Sequence, residues 1–162
     1  MIMGKIVSIV YRPDSVPAKP ADHFSRVPLQ AATLVTDYGI EGDRKGGNPS
    51  RNLNIMAQET MSELASEGFA AQPGAMGEQI VIGELGENFN QLPEGTQLKI
   101  GAQAVVELTS PRTGCERFEA IQKKDPKDAV RRLGMMARVV QGGPIQIGDA
   151  VTVLQDVRVR HD

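Results

Sequence analysis

The sequence predicts a mainly β fold with helical insertions (α+β), arranged as a mixed β-barrel. Three observations carry this expectation. Short runs of alternating apolar residues recur along almost the whole chain, glycine and proline punctuators separate them, and only two stretches show helical spacing. A βαβ fold would instead follow each strand with a helix of roughly 10–15 residues. With 162 residues the chain suits one domain with a proper core and is short for two, so a single domain over 1–162 is expected.

The elements follow in order. Gly4–Tyr11 alternates and is rich in β-branched Ile6, Val7, Ile9 and Val10, a strand. Pro13, Pro17 and Pro20 make the next stretch a loop. Val27–Val35 reads as a second strand, and Arg51–Ala57 as a third with Leu53 and Ile55 on one face. Gln58–Glu67 is a helix, with Met61, Leu64 and Ala65 at helical spacing and Gly68 as its stop. Further strands are expected at Gln79–Ile82, Thr96–Ile100, Gln103–Thr109, Met136–Val140 and Ala150–Leu154. Between them, Pro93-Glu94-Gly95 and Gly142-Gly143-Pro144 act as turns. A second helical stretch covers Cys115–Leu133, broken at Pro126. Glu94–Ile100 and Ile147–Val153 resemble each other as a turn feeding an alternating strand, the arrangement found where strands close a barrel.

Composition narrows the function. Hydrophobic residues make up 40% and charged residues 23%, as in a globular protein rather than a disordered one. A net charge of −2 argues against non-specific nucleic-acid binding, which leans on a basic face. Aromatic content of 4% with no Trp leaves few platforms for stacking bases. Cys115 is the only cysteine, which excludes an internal disulfide and fits a reducing compartment. With His23 and His161 the only histidines, a Cys/His zinc site is not expected, and Met56 and Met61 read as core. The first residues show no signal-peptide apolar core and no run approaches the roughly 20 apolar residues of a membrane span. A cytoplasmic protein is expected.

Two segments carry chemistry. Tyr38–Arg51 places four glycines (39, 42, 46 and 47) among Arg44, Lys45 and Arg51. Glycines let backbone amides turn inward, and fixed cations supply donors where such a nest would hold an oxyanion, so the segment reads as an anion-gripping loop for a phosphate. The alternative is a surface hairpin with solvated charges. Neither the Walker A nor the dinucleotide glycine spacing is present. The second segment is Thr109–Phe118, in which Cys115 follows Pro111 and Gly114 at an expected helix start between Arg112 and Arg117. Amide dipoles and cationic charge there favour the thiolate, whereas a buried apolar thiol is the alternative.

Taken in order, Glu41-Gly42-Asp43-Arg44-Lys45-Gly46, Pro73–Ile82, Leu98-Lys99-Ile100-Gly101, the Cys115 segment, Gly142-Gly143 and Ile147-Gly148-Asp149 resemble the MOSC family, named for the C-terminal domain of molybdenum cofactor sulfurases. The resemblance covers about residues 5–154, the expected core, and its most specific parts are Gly-Asp-Arg and the single cysteine. It implies a MOSC-like mixed β-barrel whose cleft holds the molybdenum cofactor (molybdopterin), a pterin with a terminal phosphate and a dithiolene-bound metal. By the same resemblance Cys115 is the sulfur ligand of molybdenum or a carrier of transferable sulfur. Arg44 grips the phosphate, with Lys45 and Arg51 beside it and Gly42 and Asp43 shaping the loop, while Arg112 and Thr113 lie near the metal oxygens. Some relatives reduce N-hydroxylated compounds with electrons from a partner, so an electron-donor or sulfur-donor protein is implied.

The sequence departs from the family at three points. Lys45 stands where relatives often carry His, and Gln79, a cofactor-binding residue by the same resemblance, replaces an Asn, lengthening that amide's reach. Glu116 follows the cysteine and opposes the arginines. Two other readings stay open: a non-catalytic module that binds a phosphorylated ligand or partner, and a metal-free persulfide carrier.

Overall fold

The structure, a computed structural model, describes residues 3–15, 24–85, 87–114, 116–129 and 131–154. The strands are β1 (Met3–Tyr11), β2 (Val27–Pro28), β3 (Ala31–Val35), β4 (Gly39–Ile40), β5 (Leu53–Ala57), β6 (Ile80–Gly83), β7 (Gln97–Ile100), β8 (Ala104–Pro111), β9 (Met135–Gln141), β10 (Gly143–Gln146) and β11 (Ala150–Val153). Helix α1 (Gln58–Ser66) lies between β5 and β6, and α2 (Glu116–Gln122) follows β8.

The large sheet runs β11-β7-β8-β9-β5-β6-β1, with β2 attached to β1, and closes because β1 also pairs with β11. Met3 opposes Thr152 at one end of β1, and Ile9 opposes Ile80 nearer the other. A closed barrel leaves no long edge open to another chain. β7 and β11, the two look-alike turn-and-strand pieces, lie side by side with Val151 opposite Ile100. Strands β10, β3 and β4 form a separate three-stranded sheet.

All pairings are antiparallel except β5 with β6, where Ile55 opposes Ile80. A parallel pair needs a long crossover, which α1 and the segment after it supply. Strands in such a pair are covered on both faces, so they read as continuous apolar runs, and every residue of β5 and β6 is buried. Leu53, Ile55, Ile80 and Ile82 face the barrel core with Leu98, Val106, Leu108 and Val139. Met56 and Val81 face outward into a second core with Met61, Leu64, Phe118 and Leu133. Helix α1 ends as Gly68 turns at φ 95° and Phe69 N–H returns to the Leu64 carbonyl at 3.0 Å.

Several boundaries differ from the sequence expectation. The run Val27–Val35 is two strands, because Leu29 N–H bonds Ile9 O while the next carbonyl, Gln30 O, accepts from Ile147. The chain changes sheets there. Gly143-Pro144, expected as a turn, begins β10, whose place at the edge of the small sheet tolerates a proline. Within the expected helical stretch Cys115–Leu133, the described residues form α2 and a 3-10 turn at Pro126–Ala129, where Lys127 N–H bonds the Asp125 carboxylate at 2.9 Å. No described helix is long and apolar enough to cross a membrane.

Candidate functional site

Asp43 is the knot of the glycine loop. It is fully buried, and its Oδ1 accepts the backbone N–H groups of Arg12 at 3.1 Å and Lys45 at 3.0 Å. Its Oδ2 accepts from Gln79 Nε2 at 3.4 Å, and Tyr38 Oη donates to its carbonyl at 2.6 Å. A buried carboxylate needs such donors, and here they fix the turn that aims the next two side chains. Gly42 precedes it at φ 85°, a left-handed conformation that a side chain resists. Asn52, also fully buried, ties the far end: its Nδ2 donates to Asn48 O at 2.7 Å and its Oδ1 accepts from Val139 N–H at 2.8 Å. From β8, Thr109 Oγ1 donates to Ser50 O at 2.6 Å.

The loop therefore stands against the barrel as a braced wall, and Arg44, Lys45, Asn48 and Arg51 line a cleft of about 620 Å³ with Leu53, Asn54 and Gln79. Arg44 is half exposed and its Nε lies 3.3 Å from the solvated Asp14, a surface pair of small worth.

The opposite wall is the turn Pro73–Glu78 and the end of β8. Glu78 is fully buried and folds its carboxylate back onto its own turn, accepting from Gly74 N–H at 2.6 Å and Met76 N–H at 3.1 Å. Burial raises its pKa above the ordinary carboxylate value, against the pull of those N–H groups and of the Arg112 charge. Arg112 donates from Nη1 to Met76 O and lies 5.7 Å over the Phe118 ring, while its own N–H bonds Gly134 O at 2.9 Å. Gly77 fits between Arg112 and Phe24, since an added Cβ would come within 3.0 Å of Nη2 and 3.2 Å of the ring. Arg26 stacks 5.4 Å over Phe24. Phe24, Arg26, Gly77, Ser110, Pro111, Arg112, Thr113 and Met136 complete the lining. A second, more apolar cleft of about 460 Å³ shares Pro111, Arg112 and Thr113 and continues to Gly114, Lys127 and Arg131.

The structure thus gathers Arg44, Lys45, Arg51, Gln79, Arg112 and Thr113 around one space, though residues up to 69 positions apart contribute (44 to 113). Gly42 and Asp43 do not line it; they hold the loop. Gln79 lines it but spends its amide internally, its Oε1 accepting Asn54 N–H at 2.7 Å and its Nε2 bracing Asp43. Cys115, like His23 and His161, lies outside the described residues. Among the described residues no three of His, Cys, Asp and Glu come together as a metal site.

Sequence reasoning passed over Phe24, Arg26 and Asn54. The first two follow a proline-rich loop and carry no local signal. Asn54 did have one, a polar residue inside the apolar run Leu53-Asn54-Ile55-Met56.

A model of the MOSC domain matches residues 42–152 of this chain. Among solved structures, the YuaD protein from Bacillus subtilis superimposes with a TM-score of 0.73 at 16% identity, covering 92% of this chain and 94% of that one. YiiM from Escherichia coli gives 0.68 at 18% identity, covering 94% and 71%. YiiM from Geobacillus stearothermophilus gives 0.65 at 18%, covering 96% and 75%. At these identities the likeness is one of fold. No curated protein matches the chain.

Proposed function

From its membership of the MOSC domain family, in which this chain belongs by a match over residues 42–152, we propose that it is a molybdenum-cofactor-binding protein. It acts as a small oxidoreductase, with N-hydroxylated compounds as candidate substrates, or as a sulfur carrier through Cys115. The observation that carries this reading is the convergence of Arg44, Lys45 and Arg51 with Arg112 on one cleft. Cations on a braced loop suit the terminal phosphate of an elongated ligand, because their order is fixed before the ligand arrives.

When bound, the cofactor supplies a redox-active metal already held by dithiolene sulfurs. The chain's part is to bind and orient it. Arg44, Lys45 and Arg51 grip the phosphate, Asp43 and Gly42 keep their loop in shape, and Gln79 braces Asp43 from the cleft floor. Thr113 offers a hydroxyl at the end where the Cys115 segment begins. Cys115 supplies a thiolate, a soft donor suited to a metal in a sulfur environment. An electron-donor or sulfur-donor protein completes the turnover.

Molybdenum content measures this directly. Protein made in a cofactor-competent host should carry about one molybdenum per chain, Cys115→Ser should lose it, and Arg44→Ala should weaken retention roughly 10–100-fold. Equal metal in wild type and Cys115→Ser removes the proposal.

One feature favours a second reading, a non-catalytic module for a phosphorylated ligand: the bonds of Asp43 and Asn52 that shape the loop come from outside the Cys115 segment, which contributes the Thr109 hydroxyl on Ser50 O. In that case Arg44→Ala abolishes phosphate binding and Cys115→Ser leaves it intact. A gain of ~32 Da lost on reduction would mark the metal-free persulfide carrier instead.

A further inference from the structure

Two asparagines stand two residues apart, Asn52 just before β5 and Asn54 within it. Asn52, just before the strand, uses both side-chain atoms to pin the glycine loop to β9. Asn54 uses neither. It is 3% exposed, and its Oδ1 and Nδ2 have no hydrogen-bond partner among the described residues. Its backbone is fully engaged, with Gln79 N–H donating to its carbonyl at 3.0 Å and its own N–H donating to Gln79 Oε1. The residue is therefore held in place while its carboxamide stays unspent. Gly134 lies against the oxygen, where a Cβ would come within 2.9 Å.

A buried amide without partners destabilises a fold, and an aliphatic side chain of the same shape would serve packing better. The position makes sense for a ligand, since Asn54 borders the cleft together with Gln79, Met136 and Phe24. We propose that Asn54 is a specificity residue that reads a planar nitrogen heterocycle through an adjacent donor and acceptor, the edge of a cyclic amide, while Arg44, Lys45 and Arg51 hold the ligand's anionic tail. A carboxamide presents one N–H and one C=O side by side, and a cyclic amide presents their complement. Phe24 supplies an aromatic surface in the same cleft for a flat ring. This rests on the reading of the cleft as a phosphate-bearing pterin site, and it names the residue that tells such a ring from another aromatic phosphate.

The test is calorimetric titration of the full chain with three probes: neopterin monophosphate, whose ring carries a cyclic amide, 1-naphthyl phosphate, whose ring does not, and inorganic phosphate. Wild type should bind the first at least about 10-fold tighter than the second, the worth of one good hydrogen-bonded pair. In Asn54→Leu that ratio should fall towards one with inorganic phosphate binding unchanged, and the Tm should be equal or higher because an orphan amide has gone. Equal binding of the two aromatic phosphates by wild type, or discrimination that survives in Asn54→Leu, overturns the assignment. Should Asn54→Leu not fold, the wild-type ratio alone decides. If all three probes bind and the aromatic pair binds equally, only the role of Asn54 falls; if none binds, the phosphate site falls with it.

Discussion

Gly134 offers a measurement in which steric crowding separates from backbone conformation. It sits at φ 91°, just before β9, and a Cβ built on it would lie 2.3 Å from Ile55 O and 2.7 Å from Met56 Cγ. Gly148 has nearly the same backbone, φ 92°, but nothing lies within 4 Å of its Cβ position. Gly148→Ala should therefore pay only for a left-handed alanine, about 1.5 kcal/mol. Gly134→Ala should pay that and also push β5 and β9 apart against a backbone carbonyl, adding about 1–3 kcal/mol. In a domain of this size 1 kcal/mol moves the Tm by roughly 2–4 °C, so about 3–6 °C is expected for Gly148→Ala and about 5–18 °C for Gly134→Ala. Differential scanning calorimetry of the two variants against wild type reads both. The shift should also reach the cleft, because Gly134 O accepts the Arg112 N–H and so fixes where that arginine starts. Phosphate binding should weaken in Gly134→Ala and hold in Gly148→Ala. Equal Tm losses in the two variants would refute the contact argument.

Asp43→Ala should strand two backbone N–H groups, those of Arg12 and Lys45, and lower stability by about 2–4 kcal/mol while loosening the loop; a Tm within about 2 °C of wild type would show that the loop does not depend on this carboxylate. Glu78 carries the pH dependence. Its folded pKa is raised above 4.5 by burial, so the folded state holds its proton more tightly than the unfolded chain does. The stability it contributes is full below pH 4.5 and is lost as pH rises through the raised folded value. Glu78→Gln removes that titration, so the Tm of wild type minus that of the variant should fall between pH 4 and 8; a flat or rising difference contradicts the sign.

Much of the barrel was legible because strand period is local. β1, β5, β7, β8 and β11 fall where alternation or apolar runs predicted them, and Gly68 ends α1 as read. The misses share a cause. Strand β4 has only two residues and β10 begins Gly-Pro, so both exist through the partner that β3 provides rather than through their own propensity. The cationic loop announced itself by composition, but the roles of its neighbours did not. Gln79 looked like a ligand contact and is a brace. Glu78, unremarked inside the stretch Pro73–Ile82, is the hub of the facing turn.

Residue order alone settled that glycines and fixed cations would share one loop, that strands would dominate, and that a single cysteine would follow a Pro- and Gly-punctuated segment. Only closure of the barrel decided that this loop faces Arg112 and Thr113, and that of Asn52 and Asn54, two residues apart, the first is spent and the second is not. The reason is range. Alternation and turn chemistry act over a few residues, whereas hydrogen-bond satisfaction at a cleft floor depends on strands brought together from distant parts of the chain.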